Sequence, residues 1–264
     1  MLTLGPKPSP TWGRPADQRP RSRVDAAPVV PAPFLRSDSD LFRESLNVEL
    51  ACADRQATIR YTLDPAAPEG QWEIYDEPIV LRESTRLRFV AERDGCSSPV
   101  VESYLHRIPH DWTIDVRSTP NPQYTAGGPP ALIDGLRGDP NWRTGGWQGY
   151  QYTDFEATVD LGSERPLHRI GASFLQDARS WIWMPSEVVL SVSSDGADFR
   201  EIARVTGDVA DDAQGIIVRD QVAEVEGVEA RYVRVLARNY GTIPDWHPGR
   251  GDGAFIFIDE ILID

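Results

Sequence analysis

The sequence predicts an all-β protein built as two sandwiches in tandem. Three observations carry that reading. Short runs alternate apolar and polar side chains, the period of a strand with one buried face. Clusters of Gly, Pro, Asp and Asn break these runs at short intervals, as turns do. No stretch of ordinary helix length shows an amphipathic helical period. The 264 residues suffice for one large domain or two ordinary ones, and eight Trp, eight Tyr and eight Phe can supply the cores.

The elements follow in order. Residues 1–27 are rich in Pro, Arg and Ser, lack periodicity, and read as a disordered leader or linker. "VVPAP" opens the ordered part. "SLNVELAC" alternates Leu46, Val48, Leu50 and Cys52, and "TIRYTL" and "RLRFVAE" are strand-like. "DPAAPEG" and "RDGCSSP" are turns. The first unit is expected over 28–108 and the second over 109–264, with the break in "LHRIPHDWTI". Beyond it, "DFEATVDLG", "HRIGASFL", "EVVLSVSSDG", "ARYVRVLA" and "AFIFIDEILI" read as strands. Strict alternation in the last puts Phe255, Phe257, Asp259, Ile261 and Ile263 on one face and Ala254, Ile256, Ile258, Glu260 and Leu262 on the other. Both faces are apolar, yet each carries a carboxylate, and a buried carboxylate is costly unless something positive meets it.

Composition narrows the function. A formal net charge of −14 and a pI near 4.7 argue against nucleic acid and against an anionic membrane surface. Lys7 is the only lysine, so the basic residues are nearly all Arg. No run is long and apolar enough to span a bilayer. The N-terminal stretch has no apolar core of signal-peptide length. Cys52 and Cys96 are the only cysteines, and either one disulfide or two free thiols fit their positions.

Residues 59–105, with "IRYTLD" at 59–64, then Tyr75, Pro78, Ile79, Thr85, Leu87 and Gly95, resemble the immunoglobulin-like module that ends bacterial chitobiases and β-hexosaminidases. That resemblance implies a spacer without chemistry. The acidic Glu73, Asp76 and Glu77 read as a solvated loop face.

In the second unit, "ALIDGLRGDPNWRTGGWQGYQYTDFEATVDLG", "VSSDGADF", "ARYVRVLA" and "FIDEILI" occur in the order and spacing of the coagulation factor V and VIII discoidin domain. The same fold occurs in bacterial carbohydrate-binding modules of family 32. The resemblance implies an immunoglobulin-like sandwich followed by a discoidin-type jelly-roll β-sandwich. It also implies one structural calcium. Carried over by position, its ligands are the Asp134 carboxylate, the Ala131 and Leu136 carbonyls, Asp139, Glu260 and the Asp259 carbonyl. A hard cation that wants six to eight oxygens suits such a set. The alternative is that Asp134 caps its own turn and Glu260 pairs with Arg137 or Arg234.

Sugar-binding relatives of this kind hold their ligand on loops at one end of the sandwich. By that resemblance, "FLQDARSWIWMP" contributes Gln176, Asp177, Arg179 and Trp181, with Trp183 looking core-like before Met184 and Pro185. "RNYGTIPDWHPGRGDG" contributes Tyr240, Trp246, His247 and Arg250, and Trp142 and Trp147 are further candidates. A flat apolar ring beside planar donors is what a sugar requires. The arginine that several galactose binders carry falls near Gln176 here, and the first loops hold no clear His partner. The RGD tripeptide in "GRGDG" is read as coincidence.

Together the two units resemble the tail of a bacterial family-20 glycoside hydrolase without its barrel, since no βα repeat or paired catalytic Asp–Glu is visible. The expectation is a non-catalytic carbohydrate-binding or accessory protein that recognises terminal sugars on glycans, outside the cell or in a bacterial periplasm. Its possible partner is a glycoside hydrolase catalytic domain. The alternatives are the detached half of a β-N-acetylhexosaminidase-type enzyme and a protein-docking module.

Overall fold

The computed structural model describes residues 29–37 and 39–264. The leader assigned to residues 1–27 lies outside them. The described residues form two compact units, one ending at Arg107 and the other running from Ile108 to Asp264. Their helical segments are single 3-10 turns of three or four residues, so the protein is all-β.

The first unit is a small sandwich of the immunoglobulin-like kind. One sheet orders β1 (Phe34–Arg36), β3 (Leu46–Ala51) and β6 (Ile79–Leu81) as β1-β3-β6. The other runs β2 (Leu41–Phe42), β9 (Val101–Arg107), β7 (Thr85–Arg93), β4 (Thr58–Thr62), β5 (Glu73–Ile74), with β8 (Cys96–Ser97) on β7. Alternation in the sequence sends Val48, Leu50, Ile59, Leu87, Phe89 and Leu105 inward to a common core. Cys52 and Cys96 are both free thiols, and the Cys52 thiol donates to the Pro31 carbonyl.

The second unit is a jelly-roll sandwich built on two strands of 22 residues each, β12 (Phe155–Gln176) and β15 (Ile217–Arg238). "DFEATVDLG" and "HRIGASFL", read as separate strands, are the two halves of β12, continuous through a register shift between Asp160 and Arg165. "ARYVRVLA" is likewise only the second half of β15. The first half of β12 pairs with β10 (Thr113–Val116) and the second half of β15, which continues to β13 (Glu187–Ser193) and β14 (Arg200–Val205). The second half of β12 pairs with the first half of β15 and with β16 (Phe255–Ile263), which carries β11 (Gln148–Gln151) on its far edge. Phe155, Ala157 and Val159 from one layer meet Ile170, Ala172 and Phe174 from the other in one core.

This pairing gathers the long loops at one end. Gln176 sits opposite Ile217, Leu175 opposite Phe257, Phe155 opposite Ala237, Glu187 opposite Arg238, and Gln151 opposite Phe255. Residues 152–154, 177–186, 206–216 and 239–254 therefore leave the sheets on the same side.

The closing strand departs from strict alternation. Ile258 pairs with Phe174 and Ile261 with Ala172, so Asp259 and Glu260 together oppose Ser173. This bulge reverses the parity of the strand. Ile256 and Ile258 face the main core before it, and after it Ile261 does so in place of Leu262. Phe257 packs in a separate cluster with Trp147, Leu175 and Ile182. The expected assignment of one carboxylate to each face of a regular strand is thereby corrected.

Candidate functional site

The bulge presents both acids to the loop that follows Pro129–Leu132. Asp259 and Glu260 are buried, as is Asp134. Gly135 adopts φ +82, a left-handed conformation that glycine accepts without strain, and its N–H donates to Glu260 Oε1 at 3.0 Å. Gly138 N–H donates to Asp259 Oδ2 at 2.7 Å, and Arg137 Nε stands 3.5 Å from the same oxygen. Asp134 Oδ1 accepts the Leu136 N–H at 2.8 Å, which caps the turn. Glu260 Oε2 is buried with no hydrogen-bond partner.

Burial drives the electrostatics. It raises the Asp259 carboxyl, against the opposing pull of Ser173, Gly138 and Arg137. It pushes Glu260 up to about 8, and the nearby Asp134 and Asp259 charges add to the rise. Of the two arginines considered as partners for Glu260, Arg137 approaches Asp259 instead and also pairs with Asp220, while Arg234 lies over the Phe199 ring at 4.0 Å.

Asp139 is exposed, its Oδ1 accepts the Asn141 N–H at 2.6 Å, and its carbonyl accepts the Trp147 indole N–H at 2.8 Å. Among the described residues no three His, Cys, Asp or Glu side chains converge as a metal cluster. The acids whose charges act on Glu260 are Asp134 and Asp259, with Ala131 in the Pro129–Leu132 turn and Leu136 in the loop after it. An orphaned buried oxygen beside a second carboxylate fits a hard cation completed by carbonyls.

At the loop end the predicted sugar contacts separate into packed and exposed residues. Gln176 is 1% exposed, and both ends of its amide are used: Nε2 donates to the Ala210 carbonyl at 2.8 Å and Oε1 accepts the Met184 N–H at 3.3 Å. His247 is buried, and its Nδ1 accepts the Gly249 N–H at 3.0 Å. Trp181 is half-buried and lies so close over Gly249 that a Cβ there would come within 2.6 Å of the indole. Both ends of the Gln176 amide and the His247 Nδ1 are thus engaged by neighbouring backbone, and Trp181 packs on Gly249. Trp183 is fully buried, donates its indole N–H to the Asp211 carbonyl at 3.0 Å, and stacks on Tyr240 with 5.3 Å between centroids. Trp147 is buried as well.

The remaining predicted residues line or rim the surface. The half-buried Tyr240 donates its hydroxyl to Asp211 Oδ2 at 2.8 Å. Burial and that carboxylate push the phenol up to about 12. It lines a 200 Å³ pocket with Met184, Pro185, Gly207 and Asp211. Asp177, buried, accepts the Trp142 indole N–H at 3.1 Å. Asp177 and Arg179 line a second pocket, of 240 Å³, with Arg143, Ser180 and residues 213–216. Arg250 is exposed, and Trp246 stands 52% exposed beside Trp183 and His247. Sequence reasoning missed Arg143, Asp211 and the 65% exposed Tyr152 of the 152–154 loop. Tyr152 takes a left-handed φ of 53 and packs against Gly253. The "YTD" turn after "GYQ" was the available signal for it.

Comparison with known proteins follows this geometry. No curated protein gives a significant match. Solved structures similar to part of this chain include CpGH89CBM32-5 from Clostridium perfringens, in complex with GalNAc-β-1,3-galactose (19% identity, 58% of this chain and 94% of that one covered, TM-score 0.34). The family 32 carbohydrate-binding module of C. perfringens NanJ, in complex with galactose, is another (14% identity, 58% and 92% covered, TM-score 0.36). The family model of the chitobiase/beta-hexosaminidase C-terminal domain matches residues 38–102. That of the F5/8 type C domain matches residues 114–251, which carry β10 to β15 and most of the loop end. Since this second match spans more than half of the chain, the protein belongs to the F5/8 type C domain family.

Proposed function

We propose that the protein is a non-catalytic carbohydrate-binding module that recognises terminal sugars on glycans through the loop end of its second unit. The observation that carries this reading is Trp246. It keeps 52% of its surface exposed at the end where Trp181, Trp183 and His247 are drawn into packing. An exposed indole offers a flat apolar face for the C–H face of a pyranose, and Arg250 and Tyr240 lie on the same loop to meet hydroxyls. One shallow sugar buries few atoms and gives up well-solvated hydroxyls, so affinity should fall at about millimolar to tens of micromolar. Avidity from an attached glycoside hydrolase or from several copies would then matter, and a glycan-facing role suits a position outside the cytoplasm.

We further propose a structural calcium held by the Asp134 and Glu260 carboxylates with carbonyls of the 131–139 loop. The unpartnered Glu260 Oε2 supports it. Bound there, the ion would fasten the loop to the closing strand and neutralise the acids that the bulge buries.

Calorimetry or chemical-shift titration with a panel of monosaccharides tests the main reading. Binding that perturbs the 239–254 loop supports it. If no sugar binds, Trp246 is a docking residue for another protein and the carbohydrate reading falls.

A further inference from the structure

We infer that the pocket between residues 177–180 and 213–216 is a subsite for a terminal sugar carrying a carboxylate, gripped by Arg143 and Arg179. The inference rests on the carbohydrate-binding reading and names a ligand class for the same end of the sandwich.

Charge is the first observation. The chain carries 41 acidic residues against 27 Lys and Arg. Elsewhere in this unit Arg117 closes on Glu156, Arg204 on Glu187, Arg231 on Asp160 and Arg238 on Asp154, whereas Arg165, Arg200, Arg219, Arg234 and Arg250 make no ion pair among the described residues. Arg143 and Arg179 line one pocket, and neither makes an ion pair among the described residues. The only carboxylate lining that pocket is Asp177, buried and engaged by the Trp142 indole. Among the residues that line the pocket two guanidiniums stand against one carboxylate, with Asp211 and Asp212 just before the 213–216 segment. At physiological salt, charges beyond about 8 Å are screened, so an anion in the pocket responds chiefly to the guanidiniums it touches rather than to the net charge of the chain.

Preorganisation is the second. The Arg143 guanidinium lies 4.0 Å over the Trp142 ring and donates to Ser180 Oγ at 3.3 Å. A guanidinium already held by stacking loses less freedom on gripping a carboxylate, and its planar fork matches the two oxygens. Shape is the third. At 240 Å³ the pocket lies below the range of about 300–1,000 Å³ usual for larger ligands, which suits one ring rather than an oligosaccharide. The exposed Ile216 supplies an apolar wall, and the Gln214 amide stands beside it.

The test is a chemical-shift titration of the full chain with galacturonic acid against galactose and glucuronic acid against glucose. It is run at about 0.15 M and about 1 M salt, on wild type and on the Arg143→Gln/Arg179→Gln double variant. Each acid should bind about tenfold more tightly than its neutral counterpart at the lower salt, the worth of one charge-assisted pair. It should perturb the amides of 177–180 and 213–216. The ratio should fall to about one in the double variant and at the higher salt, while melting temperatures confirm that the exposed substitutions leave the fold intact. Equal binding of acid and neutral sugar, or a preference that survives in the double variant, overturns this inference and leaves the carbohydrate-binding reading standing. If no sugar binds at all, both fall.

Discussion

Gly135 donates its N–H to one oxygen of Glu260 at 3.0 Å, across 125 residues of sequence, and the other oxygen of that carboxylate is buried without a partner. The pairing joins the turn after Pro129–Leu132 to the bulge in the closing strand, and it leaves the acid half-satisfied.

Calcium should therefore stabilise the fold. After chelation, added Ca²⁺ is expected to raise the melting temperature, by about 2.7 kcal/mol of stability at a free concentration one hundred times its Kd. Glu260→Gln should remove most of that gain. A chelated protein whose melting temperature ignores Ca²⁺ would defeat the calcium proposal.

Trp246→Ala should abolish sugar binding with little effect on the melting temperature, because half of the indole is already in water. Trp246→Phe should retain part of the affinity through its smaller ring. Calorimetry with the sugar that binds wild type checks both, and unchanged affinity in the alanine variant would remove the stacking role.

Trp183→Ala should behave in the opposite way. It empties a fully buried site, strands the Asp211 carbonyl and takes away the stacking partner of Tyr240. A loss of about 3–5 kcal/mol is expected in urea unfolding of the second unit. A loss below about 1 kcal/mol would show that the loops repack without it.

Asp160 supplies a pH dependence. Arg231 grips its two oxygens at 2.8 and 2.9 Å and holds the carboxyl below its ordinary value of 3.8. Since the folded value lies below the unfolded one, the stabilisation is present above 3.8 and is lost as pH falls through the folded value. Asp160→Asn should lower the melting temperature near neutrality, with the gap to wild type closing under acid. A gap that stays constant between about pH 6 and pH 2 would contradict this assignment.

Much of the architecture was legible because strand alternation and turn chemistry are local signals. The run from Phe155 to Val159 and that from Ile170 to Phe174 both declare a buried face. That they form one strand was not legible, because the join at residues 160–165 depends on pairing with β15, a distant partner. The loop end was less legible still. A Trp in sequence looks the same whether it becomes Trp183, sealed beneath Asp211 and Tyr240, or Trp246, left in water. Gln176 and His247 read as contacts for a ligand, yet both ends of the Gln176 amide and Nδ1 of His247 are used by neighbouring backbone. Arg143 was passed over because its pocket is assembled from segments more than 30 residues apart.

The two-against-one pairing at Ser173 also governs how the last strand tolerates a change of length. Deleting either Asp259 or Glu260 would leave a single residue opposite Ser173, with Ile261 still paired to Ala172 and facing the core, and would remove one of the two acids brought to the loop. Deleting a residue from the regular part of the strand, such as Phe257, would instead turn the residues on one side of it away from the core. The same deletion among the exposed residues of the 239–254 loop would merely shorten a connection. Insertions and deletions near the C-terminus should thus be confined to the loop and the bulge, while the regular part of the strand accepts exchanges of side chain but not of spacing.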